Sequence, residues 1–92
     1  MASYNVVITE RAEKDIAAIA NRNDRERIDR RIAKLAQDPR PVGSKKLKGP
    51  YEHYRIRQGD YRILYSIQDE IRIVSIVHVA HRKDVYRRRG RA

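Results

Sequence analysis

The chain has 92 residues, 40% of them hydrophobic, with 22 Lys/Arg against 12 Asp/Glu and a net charge of +10. That length supports one domain, residues 1–92, with a single modest core, and the apolar content is too high for a disordered chain. Cysteine is absent, which removes disulfides and thiolate zinc sites; the start MASYNVV lacks the apolar stretch of a secretion signal, and no apolar run nears the roughly 20 residues of a membrane span, so a cytoplasmic protein that does not engage a membrane is expected.

Tyr4, Val6 and Ile8 alternate with Asn5 and Val7, which predicts a short first strand with one face buried. Thr9 is a good helix N-cap, and Glu10 and Glu13 put negative charge where the helix dipole favours it. Ala12, Ile16, Ile19 and Ala20 keep helical spacing, so a helix is predicted over about 10–20. After the polar break 21–24, Ile28, Ile32, Leu35 and Ala36 share one face of a second helix over about 24–37, which Pro39 and Pro41 end. The short link makes the two an antiparallel helix hairpin with solvated charged faces. Residues 38–50 read as one long irregular stretch, with Leu47 pinning it to the core. Three strands follow, at about 51–57, 61–68 and 71–79, with turns at Gly59-Asp60 and Asp69-Glu70. The third is apolar at nearly every position, as a central strand covered on both faces would be. The order β-α-α-β-β-β predicts an α+β fold: a helix hairpin on one face of a twisted, mostly antiparallel sheet, with a basic tail from about residue 87.

The charge is uneven. Residues 1–38 carry eight Lys/Arg and seven Asp/Glu, whereas residues 39–92 carry fourteen and five, a local excess of +9. A basic excess confined to one half is the footprint of a polyanion partner, most plausibly RNA. Arg55 and Arg57 are two apart on a strand and leave the same face. If Gly59-Asp60 is a two-residue hairpin loop, Arg57 lies directly opposite Arg62; a three-residue loop would make them diverge. Like charges opposed across a sheet are destabilising, which favours a functional reason for the cluster. His81, Arg82 and Tyr86 leave the end of the last strand and could add a titratable group, a phosphate fork and a stacking or hydrogen-bonding phenol. His53 and His78 read as structural or exposed, and the tyrosines at 51, 54, 61 and 65 as sheet packing. No HxxxH, His/carboxylate cluster, Gly-rich phosphate loop or nucleophile elbow is present. Any phosphoryl chemistry is therefore expected to be metal-free and to need no cofactor.

The succession of strand, helix pair, KKLKG, YRIRQGDYRILY, hydrophobic strand and HRKDVYRR resembles the prokaryotic RelE/ParE toxin superfamily, and RelE-type messenger-RNA interferases in particular, over about residues 3–88. The resemblance implies a toxin that enters the ribosomal A site and cuts messenger RNA through the RNA's own 2′-hydroxyl, leaving a 2′,3′-cyclic phosphate and a 5′-hydroxyl. It implies a RelB-like antitoxin as partner, with operator DNA bound only through the toxin–antitoxin complex. By position, Arg62 would support the scissile phosphate with Arg82, and Tyr86 matches a C-terminal family tyrosine. Arg55 and Arg57 stand where the best-known member has lysines; because arginine is a poor proton acceptor, His81, or else Tyr86, is the expected general base. Lys45, Lys46, Lys48 and Lys83 are expected to contact RNA phosphates. A ParE-type inhibitor of DNA gyrase, or an inactive RNA-binding relative, would use the same fold.

Overall fold

The computed structural model describes residues 3–49 and 52–83. The elements run β1 (Asn5–Ile8), α1 (Glu10–Ala17), α2 (Arg22–Lys34), β2 (Lys45–Lys46), β3 (His53–Gln58), β4 (Tyr61–Gln68) and β5 (Ile73–His81). They build one five-stranded sheet in the order β1-β5-β4-β3-β2, antiparallel except where β1 runs parallel to β5.

Local chemistry starts and stops the helices. The Thr9 hydroxyl accepts the Ala12 N–H at 3.3 Å and itself donates to the Ile76 carbonyl at 2.7 Å, so one side chain caps α1 and ties it to β5. Asn21 caps α2 through the Asp24 N–H at 3.0 Å. Ala12 and Ile19 from the first helical segment and Ile28, Ile32 and Leu35 from the second are buried against Tyr54, Ile56, Ile63, Tyr65, Ile67, Val74, Ile76 and Val79 of the sheet. Full burial of each large aliphatic side chain is worth about 1.5–3 kcal/mol. Ala20 lies outside this layer and is exposed, because α1 ends three residues earlier than the periodicity predicts.

Four expectations need correction. The stretch 38–50 is not wholly irregular: Lys45 and Lys46 pair with Arg55 and Tyr54 as a fifth, edge strand. Two residues are too short to leave a pattern. Leu47 is only half-buried and outside the core; the loop is held instead by the Leu47 N–H on the His53 carbonyl, by the Tyr65 hydroxyl on the Pro39 carbonyl at 2.7 Å, and by Arg40, which forks onto Asp69 at 3.1 and 2.8 Å. The last strand starts at Ile73, since Arg72 turns the chain with φ 55°, and it extends to His81. Finally, β5 is neither the central strand, a place taken by β4, nor covered on both faces. Val77 is 40% exposed, at a bulge where Leu64 pairs with His78 but Tyr65 pairs with Ile76.

Candidate functional site

The hairpin β3–β4 decides where the arginines go. Gly59 has φ 59° and Asp60 does not share the positive sign, the pattern of a type II′ turn, with glycine at the first central position. The loop therefore has two residues, and the register is Gln58↔Tyr61, Arg57↔Arg62, Ile56↔Ile63. Ile56 and Ile63 are fully buried under the helices. Strand alternation then puts Arg55, Arg57 and Arg62 together on the opposite, open face. Burial lowers the pKa of Arg55, and the neighbouring Arg57 and Arg62 lower it further: the face is electrostatically strained in the absence of an anion.

Lys45 pairs with Arg55 in β2 and extends the same face outward. Its neighbour Lys46 pairs with Tyr54, falls on the other side and is neutralised by Glu52 at 3.3 Å. Lys48 is exposed beyond β2. At the hairpin tip, Arg57, Gly59, Asp60, Tyr61, Arg62 and Arg82 line an open cleft of ≈ 300 Å³, roomy enough for a phosphate group and its flanking sugar. Arg82 arrives there because its N–H donates to the Asp60 carbonyl at 2.8 Å; the Asp60 carboxylate lies 3.8 Å from its guanidinium, a loose and solvated pair. Arg62 and Arg82 thus meet at one cleft.

His81 is placed differently. It pairs with Tyr61, whose ring packs on the core, and the two rings meet edge-on with centroids 5.1 Å apart. His81 therefore sits on the helix side of the sheet, behind Tyr61, which itself lines the cleft; neither His81 nor His78 is among the residues lining it. Its Nδ1 accepts the N–H of exposed Lys83 at 3.1 Å, which puts the proton of the neutral ring on Nε2 and makes that nitrogen a donor. Tyr86, like the tail from residue 87 onward, lies outside the described residues.

Two groups have no signal in the local sequence. Asp60, predicted only as a turn residue, is the acidic member of the cleft lining. His78, read as structural or exposed, pairs with Leu64 and so belongs to the open face, one step along β5 from the row Arg62↔Ala80. Its Nδ1 lies 2.6 Å from Asp15 of α1, and the same carboxylate oxygen accepts the Val79 N–H at 3.0 Å. Sixty-three positions separate His78 from Asp15, so only the folded chain shows the pair. Burial pushes the Asp15 pKa up, but the Val79 N–H, His78 and Arg11 together outweigh it and hold Asp15 below its ordinary value. Among the described residues no group of three or more His, Asp or Glu is arranged to hold a metal ion, and no helix is long and apolar enough to cross a membrane.

Comparison with known proteins agrees with this architecture. Residues 6–86 match the family model described as the ParE toxin of the type II toxin–antitoxin system parDE. Toxin RelG of Mycobacterium tuberculosis is 33% identical over 85 residues, covering 92% of this chain and 98% of its own length. The archaeal RelE–RelB complex from Pyrococcus horikoshii superposes with a TM-score of 0.78 at 26% identity, over 87% of this chain and 96% of that one. The intact E. coli RelBE toxin–antitoxin complex gives 0.73 at 26% identity, over 86% and 96%. The chain belongs to the RelE/ParE superfamily and is a RelE-like toxin of a type II toxin–antitoxin system.

Proposed function

We propose that this toxin is a ribosome-dependent endoribonuclease that cuts messenger RNA in the A site and so stops translation. The observation that carries the reading is the convergence of Arg62 and Arg82 on one cleft beside the directly opposed Arg57. In the reaction the RNA's 2′-oxygen attacks the adjacent phosphorus and the 5′-oxygen leaves. Charge builds on the non-bridging oxygens, where two guanidinium forks stabilise it; removing one such preorganised donor typically costs about 10²–10³ in rate. Arg55, Arg57 and Lys45 hold the flanking phosphates. Lys48 and Lys83 contact ribosomal RNA, whereas Lys46, paired with Glu52 on the other side, does not serve as expected; Tyr86 stacks on a neighbouring base. The cleft is open and cannot by itself hold flexible RNA in line for attack, so the ribosome supplies the orientation. Isolated RNA at physiological salt should survive.

The partner is a RelB-like antitoxin, acidic or bearing an amphipathic helix, that covers the basic face; operator DNA is bound only through that complex. The RelE–RelB complexes among the similar structures support this. Induced expression with mapping of transcript ends tests the function: cuts within codons are expected, and they should vanish with Arg62→Ala. The ParE name of the matching family model supports a second reading, gyrase inhibition. A DNA-damage response with intact transcripts would establish it and overturn the nuclease.

A further inference from the structure

RNA cleavage by 2′-hydroxyl attack needs a proton acceptor, and the arginine face has an obvious gap there: guanidinium groups stay protonated, and His81 faces the helix side with its outer nitrogen as donor. We infer that His78, oriented by Asp15, is the proton acceptor of this toxin. The inference rests on the nuclease reading above and adds to it a pair of residues that sequence inspection passes over.

The register supplies the placement. From His81 back to His78, β5 pairs with β4 without interruption, so alternation assigns His81 and Val79 to the helix side and Ala80 and His78 to the open side. Arg62 pairs with Ala80, and His78 is its diagonal neighbour, a relation that puts Cα atoms about 7–8 Å apart across antiparallel strands. On this register His78 and Arg62 share the open face, and for His78 to act a nucleotide bound there must reach from the Arg62 cleft to the imidazole.

The chemistry follows from the hydrogen bonds. Asp15 is fixed at β5 by the Val79 N–H, while Arg11, one turn earlier on α1, lies 3.5 Å from its other oxygen. An ionised carboxylate 2.6 Å from Nδ1 requires the proton to sit on Nδ1. The neutral ring therefore presents the lone pair of Nε2, the opposite tautomer to that of His81. Both side chains keep about the same slight exposure, 16% for His78 and 17% for Asp15. In the reaction the 2′-hydroxyl proton passes to Nε2, the 2′-oxygen forms its bond to phosphorus, and the bond from phosphorus to the 5′-oxygen breaks. That oxygen takes a proton from water, leaving a cyclic phosphate and a 5′-hydroxyl, and the imidazolium returns its proton to solvent. Among the described residues the charged group in contact with the ring is Asp15 of α1, itself paired with Arg11; Leu64 of β4 pairs with His78, Arg62 lies diagonally across on β4, and Val77 and Val79 flank His78 on β5.

A purely structural role, in which the pair only fastens α1 to the sheet, makes a different prediction. The test is single-turnover cleavage of messenger RNA on programmed ribosomes, with ribosome affinity measured in parallel. His78→Asn keeps a donor at the position of Nδ1 and removes the acceptor. It should leave affinity and melting temperature close to wild type and slow cleavage about 10²–10⁴-fold, the usual contribution of a positioned base. The acid limb of the wild-type pH–rate profile should disappear with it. His78→Ala should be partly rescued by imidazole in solution, which a structural clamp does not allow. Asp15→Asn should slow cleavage less than His78→Asn. Wild-type cleavage by His78→Asn, or a parallel loss of affinity and rate, overturns the assignment while leaving the nuclease reading intact. A wild-type protein that leaves ribosome-bound messenger RNA uncut removes both.

Discussion

Removing an arginine from the open face should make this toxin more stable. Arg57 is the clearest case, because it pairs directly with Arg62 and shares its face with Arg55. Like charges opposed across a sheet cost roughly 0.2–1 kcal/mol. Arg57 is exposed, so about half of that range applies to Arg57→Gln, which removes the charge and leaves a polar amide on a shorter side chain. For a domain of this size 1 kcal/mol moves the melting temperature by about 4–8 °C, so a rise of roughly 0.4–4 °C is expected. The assay is thermal unfolding in chloride at two ionic strengths. At about 0.01 M, where the Debye length is ~30 Å, the difference should be largest; at about 1 M, where it is ~3 Å, it should vanish. A short RNA should reverse the order, because a ligand at ten times its Kd adds about 1.4 kcal/mol to the form that binds it. The variant should bind that RNA more weakly and gain less. A melting temperature that is unchanged or lower for Arg57→Gln at low salt would refute the strained-face argument.

The remaining predictions concern the loop, the turn and the acid limit. Tyr65→Phe leaves the buried Pro39 carbonyl without its donor and should cost about 1–2 kcal/mol in denaturant unfolding, with ribosome binding unaffected. Gly59→Ala meets no steric neighbour but imposes a side chain at φ 59°; a loss of roughly 1–2 kcal/mol is expected, with weaker cleavage as Arg57 and Arg62 lose their pairing. Arg40, then the Tyr4 hydroxyl, hold the Asp69 pKa down to about 2 from its ordinary 3.8. A depressed folded-state pKa gives stability that is present above about pH 4 and is lost as pH falls toward 2. Arg40→Ala should therefore flatten the pH dependence of the melting temperature in that window, and an unchanged slope would remove the pair from acid stability.

The fold was largely readable from spacing because period and burial coincide here: the helix stripe Ile28, Ile32, Leu35 and the strand alternation of 61–68 both point to one core. The arginine face was readable for the same reason, once the two-residue turn was granted. What failed had a physical cause in each instance. The apolar run 73–79 looks two-sided because a bulge turns Val77 outward, and a bulge adds a residue without changing composition. The strand at Lys45 is defined only by its partner. The Asp15–His78 pair joins residues near opposite ends of the sequence, and no local pattern encodes such a meeting.

β1 enters the sheet beside β5, whereas β3, β4 and β5 follow one another and pair with their neighbours in sequence. Joining the first strand to the last closes a loop that spans most of the polypeptide, an entropic cost that delays it relative to the local meander. The β1–α1 arm should accordingly dock late and open early, with amide protons of β4 exchanging more slowly than those of β1. Asp15 rides on that arm. A partial opening would carry the carboxylate away from His78 and leave the guanidinium face assembled, separating the group that orients the imidazole from an otherwise intact basic surface.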